Sequence, residues 1–178
     1  MLESFPYRRK LLHFADALKA RNTHQAWRED SLSKAEEMLF VGFLFVRKLI
    51  ECKKVTDSCA RSSAKVLRAT IRRAREVSDF KRDDLFKDLD SAVWVDTKVD
   101  VHQLADKVIH AWWITPIQNE AGGLDGFIFT TDRQRNTELW WLEVNSVVEV
   151  YDRFATQVIT EIRAARDESG RLTFWQAK

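Results

Sequence analysis

The residues of this chain best placed to do chemistry are Asp106 and His110. They stand four apart in the stretch DVHQLADKVIHAWWI, residues 100–114, a spacing that puts both on one helical face. A carboxylate one turn before an imidazole can hold the ring in one orientation and favour its protonated form. Such a pair suits general acid or base work. The same spacing also describes a plain surface histidine near a helix end. A second candidate is basic. Arg61, Lys65, Arg68, Arg72 and Arg75 recur in 4-3-4-3 steps, so on a helix they would form one line of roughly 21 Å. That line could follow a phosphate backbone, or it could be a solvated face. A third candidate is the pair Arg133 and Arg135 in the turn-like DRQRN, where guanidinium groups at a hairpin tip could hold an anion.

Other chemistries are poorly supplied. The sequence has no Walker A loop, no GxGxxG, no HExxH and no GxSxG. The acidic group Asp83, Asp84, Asp88 and Asp90 lacks the alternating spacing and the glycine of a calcium loop, so no metal and no cofactor are expected. Cys52 and Cys59 have neither redox nor zinc spacing and read as reduced structural thiols. The net charge of +2 over 178 residues makes any electrostatic argument local. Residues 61–75 hold six basic side chains and no acid, so the remainder sums to −4. The longest apolar run, Met38–Val46, is too short for a membrane span, which needs about 20 residues. A cytoplasmic protein without membrane contact is the expectation, since the N-terminal segment has no apolar signal core.

The elements that must position these residues read as one α+β domain over residues 1–178. Five glycines and two prolines favour long helices. Apolar spacing predicts a helix from Pro6 to about Ala20, and Ser33 with Glu36 resembles a capping box opening a central helix through MLFVGFLFV. A third helix is expected from about Asp57 to Val77, carrying the basic line. Residues 93–99 read as extended. Asp100 and Gln103 can cap the helix of the Asp–His pair, with Val101, Leu104, Ala105, Val108, Ile109 and Trp112 on its inner side. Beyond it the pattern changes to three strands near 112–117, 126–131 and 138–144, joined by short loops. A long last helix is expected from Val147 to about Ala165, followed by a short tail at 168–178. The predicted architecture is thus an antiparallel helical bundle with a three-stranded antiparallel meander at about 112–144.

Residues 105–110 resemble the motif of the HEPN superfamily, small helical proteins of which many are ribonucleases of toxin–antitoxin and defence systems. That motif is Arg-polar-x-x-x-His, often with an aromatic residue two positions later. Asp106 stands at the polar position, His110 at the histidine and Trp112 at the aromatic, while Ala105 stands where the arginine belongs. Lys107 is rotated by about 200° and cannot simply substitute. The resemblance implies an RNA-directed or RNase-derived protein, often dimeric, with the meander as an insertion. Without the guanidinium that would stabilise a developing phosphorane, it implies a catalytically degenerate protein, or one completed by an arginine from elsewhere. Arg47, Arg133 and Arg135 are the arginines to examine for that role. The other expectation is a non-enzymatic, antitoxin-like docking subunit, motivated by the incomplete site and the seven tryptophans. Expected partners are therefore RNA and a second copy or another protein.

Overall fold

The structure is a computed structural model and describes residues 3–23, 27–71 and 92–178. Two long helices come first, α1 (Phe5–Arg21) and α2 (Glu29–Glu51). Pro6 lies in the first turn of α1, where its missing N–H costs nothing. Helix α2 begins one turn before the expected capping box, with Arg28 in extended conformation as its N-cap. Ser33 and Glu36 are therefore inside the helix and do not cap it. A single turn follows, α3 (Asp57–Ala60), capped by the Thr56 hydroxyl accepting from the Cys59 N–H at 3.2 Å.

Where the third helix was expected, residues 63–70 form a strand, and residues 72–77 of that stretch lie outside the described residues. β1 (Ser63–Thr70) pairs antiparallel with β2 (Trp94–Asp100) on one side and with β5 (Glu138–Glu143) on the other. Helix α4 (Val101–Ile109), β3 (Ala111–Gln118) and β4 (Leu124–Thr131) complete this part of the chain, and these five strands form one antiparallel sheet in the order β2-β1-β5-β4-β3. The three expected strands are present, but the sheet has five, so a helical bundle with a small meander is not the architecture. The reason lies in β1, whose buried residues change from one face to the other along its length. Ala64 and Val66 face the helices, while Ala69 is buried from the other side. A strand with apolar residues on both faces loses its period of two and can mimic a helical stripe.

The end of the chain also departs from expectation. Helix α5 (Val144–Thr156) stops nine residues before the predicted end at Ala165. Val158, Ile159 and Thr160 follow, three consecutive β-branched residues that disfavour a helix. The Arg8 guanidinium gathers the free carbonyls at this terminus, donating to those of Phe154, Ala155 and Gln157, and to Lys54 O at 2.6 Å. The supposed tail is a hairpin of β6 (Ile162–Arg166) and β7 (Leu172–Ala177).

Helices α1, α2, α4 and α5 cover one sheet face and form the main core with Phe127, Phe129, Trp140 and Leu142. The opposite face carries a smaller cluster of Ile71, Ile128 and Leu139 with Trp94, Trp112, Trp113 and Trp141 packed against it. Trp140 and Trp141 thus face opposite ways, as alternation requires. Trp112 and Trp113 do not, because a register shift between Ala111 and Trp113 turns both to the same side.

Candidate functional site

Helix α4 carries the Asp–His pair, and its placement follows from its two ends. At the start, Asp100 Oδ1 accepts from the N–H groups of His102 and Gln103 at 2.9 and 3.2 Å. Val101, Leu104, Ala105 and Val108 are buried, which turns Asp106, Lys107 and His110 away from the core. At the other end the His110 N–H donates to Asp106 O at 3.0 Å, and the chain enters β3 at the next residue. Ala111 pairs with Thr131, the last residue of β4. The 3-10 turn Asp132–Gln134 therefore comes to rest beside the end of α4.

The result is an open cleft of about 620 Å³ lined by Asp106, Lys107, His110, Thr131, Asp132, Arg133 and Gln134. The Asp–His pair and one arginine of the DRQRN turn, separate in sequence, meet here. Arg135 does not line the cleft. Its guanidinium is 3.4 Å from Asp132 and lies over the Trp112 ring at 5.4 Å.

Gln134 organises the floor. Its carbonyl oxygen accepts from Lys107 Nζ at 3.1 Å and from Thr131 Oγ1 at 3.0 Å. Its amide donates to Glu138 Oε2 at 2.6 Å. Lys107 Nζ stands 4.3 Å from the centre of the Trp140 ring, and Arg68 approaches the same ring at 6.0 Å. Burial lowers the Lys107 pKa; Glu138 opposes that shift and Arg68 adds to it.

Charge is unevenly matched around this cleft. Asp106 is answered by Arg47, whose Nη1 lies 3.0 Å from Oδ1, and Asp132 is answered by Arg135. Glu138 has Arg68 at 3.7 Å. Lys107 and Arg133 remain in excess, and Arg133 is exposed with no ion-pair partner among the described residues. The carbonyl end of α4 contributes some negative potential of its own, which Lys107 offsets directly. What the arrangement offers is a place for an anion.

The side chains of Asp106 and His110 do not contact one another. Asp106 makes its ion contacts with Arg47 and, at 3.7 Å, with His102 Nδ1, and none with His110. The His110 side chain is exposed, and no hydrogen bond or ion pair orients it among the described residues. Ala105, at the arginine position of the motif, is 0% exposed and points into the core. An arginine placed there would be buried. The arginine that does reach Asp106 comes from α2, through Arg47, which also holds Glu51 at 2.6 Å.

No known protein family, curated protein or solved structure matches this chain. The site must therefore be judged on its own geometry.

The basic line is dispersed by the strand. Arg61 is exposed near Asp57 at 3.9 Å, and Lys65 faces Lys98 across β1 and β2. Of its described members, Arg68 alone comes near the cleft, through Trp140 and Glu138. Arg72, Arg75 and the acidic group at 83–90 lie outside the described residues. Among the described residues no group of three or more His, Cys, Asp or Glu could hold a metal ion, and no helix is long and apolar enough to cross a membrane. Both cysteines are free, and burial pushes the Cys59 thiol up to about 11. Sequence reasoning missed Gln134 and Trp140 as site residues. Gln134 could have been found, since it sits between the two arginines of the loop.

Proposed function

We propose that the protein binds RNA through phosphate contacts at the α4–β4 cleft and does not cleave it alone. The observation that supports this reading is the convergence of Lys107, Arg133 and His110 on one open cleft whose carboxylates are already paired. A phosphate there would be met by Arg133, which has no ion pair among the described residues, by Lys107 and by the His110 imidazole. RNA is chosen as the polyanion because residues 105–110 resemble the HEPN motif. The lack of an oriented base favours a degenerate site over an active nuclease, since general base catalysis needs a positioned proton acceptor.

The test is fluorescence anisotropy with a labelled single-stranded RNA at low salt, beside a gel assay of the same RNA for cleavage. Saturable, salt-sensitive binding is expected, without cleavage, and Lys107→Gln with Arg133→Gln should abolish most of it. Absence of binding at low salt sinks the proposal. Cleavage that survives His110→Ala would place any chemistry elsewhere.

A further inference from the structure

We propose that a second groove, walled by α2 and the start of β3, docks a basic, apolar peptide segment of a partner protein. This groove of about 340 Å³ has Phe40, Val41, Val108, Ala111 and Ile114 as its apolar surface. Ser33, Glu36 and Glu37 form its polar rim. Ser33 and Glu36 have the spacing of a capping box, but α2 starts at Glu29, so neither side chain is used at a helix end. Both are left on the groove wall. Phe40 is 42% exposed in the middle of the longest helix, an apolar surface that water covers in the free protein.

The electrostatics select the occupant. Glu36 is half-buried and Glu37 exposed, no cation lines the groove, and neither carboxylate has an ion pair among the described residues. Burial raises the Glu36 pKa. A purely apolar partner would bury this carboxylate further and leave it uncompensated, which is costly. A segment that sets Lys or Arg beside a large apolar side chain satisfies both surfaces at once. Polyanions are repelled here, so this groove and the cleft at Lys107 take ligands of opposite charge.

The probe is a short, fluorescein-labelled amphipathic peptide of leucine and lysine, titrated into the full chain by anisotropy. Amide shifts in an NMR titration locate it. Saturable binding is expected, with shifts concentrated at residues 33–41 and 108–114. Glu36→Gln with Glu37→Gln should weaken it by about tenfold, and Phe40→Ser should do the same. Circular dichroism would check that these surface variants stay folded. A leucine–glutamate peptide should not bind. Lys107→Gln with Arg133→Gln should leave peptide binding intact, which separates this inference from the RNA reading. It is overturned if the peptide fails to bind, if binding ignores the glutamate substitutions, or if the shifts map elsewhere. Sedimentation gives the remaining outcome: a dimer that Phe40→Ser dissociates would assign the groove to a second copy and overturn the peptide reading.

Discussion

Gly42→Ala is a substitution for which local and tertiary physics predict opposite signs. Within a helix, alanine is favoured over glycine by about 1 kcal/mol. Gly42 sits in the middle of α2, so propensity alone predicts a more stable protein. The structure places a methyl group at Gly42 2.2 Å from the Tyr151 hydroxyl oxygen and 2.3 Å from its ring carbon Cζ. Tyr151 has no free direction in which to yield. It is 0% exposed, packs edge-on against Phe43 at 5.5 Å, and its hydroxyl lies 3.0 and 2.9 Å from the carbonyl oxygens of Met38 and Leu39. Moving the ring gives up that hydrogen bond, roughly 1 kcal/mol, and separates α2 from α5 at an overpacking cost of about 1–3 kcal/mol. After the propensity gain, the net prediction is a loss of about 1–3 kcal/mol. Urea unfolding followed by tryptophan fluorescence would measure it as a lowered midpoint at constant slope. Tyr151→Leu, itself destabilising, should make Gly42→Ala far better tolerated, because the atoms in conflict are gone. A higher midpoint for Gly42→Ala alone would refute the packing argument and with it the close approach of α2 and α5.

Four further outcomes are expected. For the cleft, each RNA phosphate neutralised contributes a slope of roughly −0.7 in log K against log salt. Arg133→Gln should flatten the slope by about that much, and an unchanged slope would move the contact away from this turn. The hydrogen bonds from Lys48 and Arg47 hold the Glu51 carboxyl down at about 2, below its ordinary 4.5. Its stabilising contribution is complete above that ordinary value and is lost as pH falls from about 4.5 towards 2. Glu51→Gln should therefore lessen the acid loss of stability in that window, seen in thermal melts between pH 2 and 6. At Gly123 a methyl group would lie 1.6 Å from the Asn22 carbonyl oxygen, so Gly123→Ala should push the loop off the end of α1. Faster amide exchange at residues 119–124 would report this. Lys65 and Lys98 face each other across β1 and β2, and Lys98→Glu should raise stability by roughly 0.2–1 kcal/mol, measured as a higher urea midpoint.

What could be read from the residues depended on whether one local rule governed them. Helix α4 was legible because its cap, its inner stripe and its polar face all agree, and Asp100 caps it as expected. The three strands after it were legible because short loops force neighbours to pair. Strand β1 was not, since burial on both faces comes from β5, β2 and the helices, none of which a local pattern contains. The end of α5 was misread for a different reason. Val158 and Ile162 continue the apolar spacing of Tyr151 and Phe154, but the chain has already left the helix and both side chains are exposed. Apolar period outweighed the β-branched run that should have ended the helix.

The cleft shows how much of a site can follow from connectivity. His110 is the last residue before β3, and DRQRN follows the last residue of β4. In an antiparallel pair the start of one strand lies beside the end of the other, and Ala111 does pair with Thr131. The meander alone therefore requires His110 and Arg133 to share one end of the sheet, before any side chain is placed. Connectivity does not supply Arg47. Its contact with Asp106 depends on how α2 crosses α4, two helices whose buried residues share the main core. Asp106 and His110 line one cleft, as one helical face allows, but the Asp106 carboxylate pairs with Arg47 and His102 and not with His110. The helix–helix packing that buries Ala105 also brings Arg47 to the carboxylate that His110 would have needed.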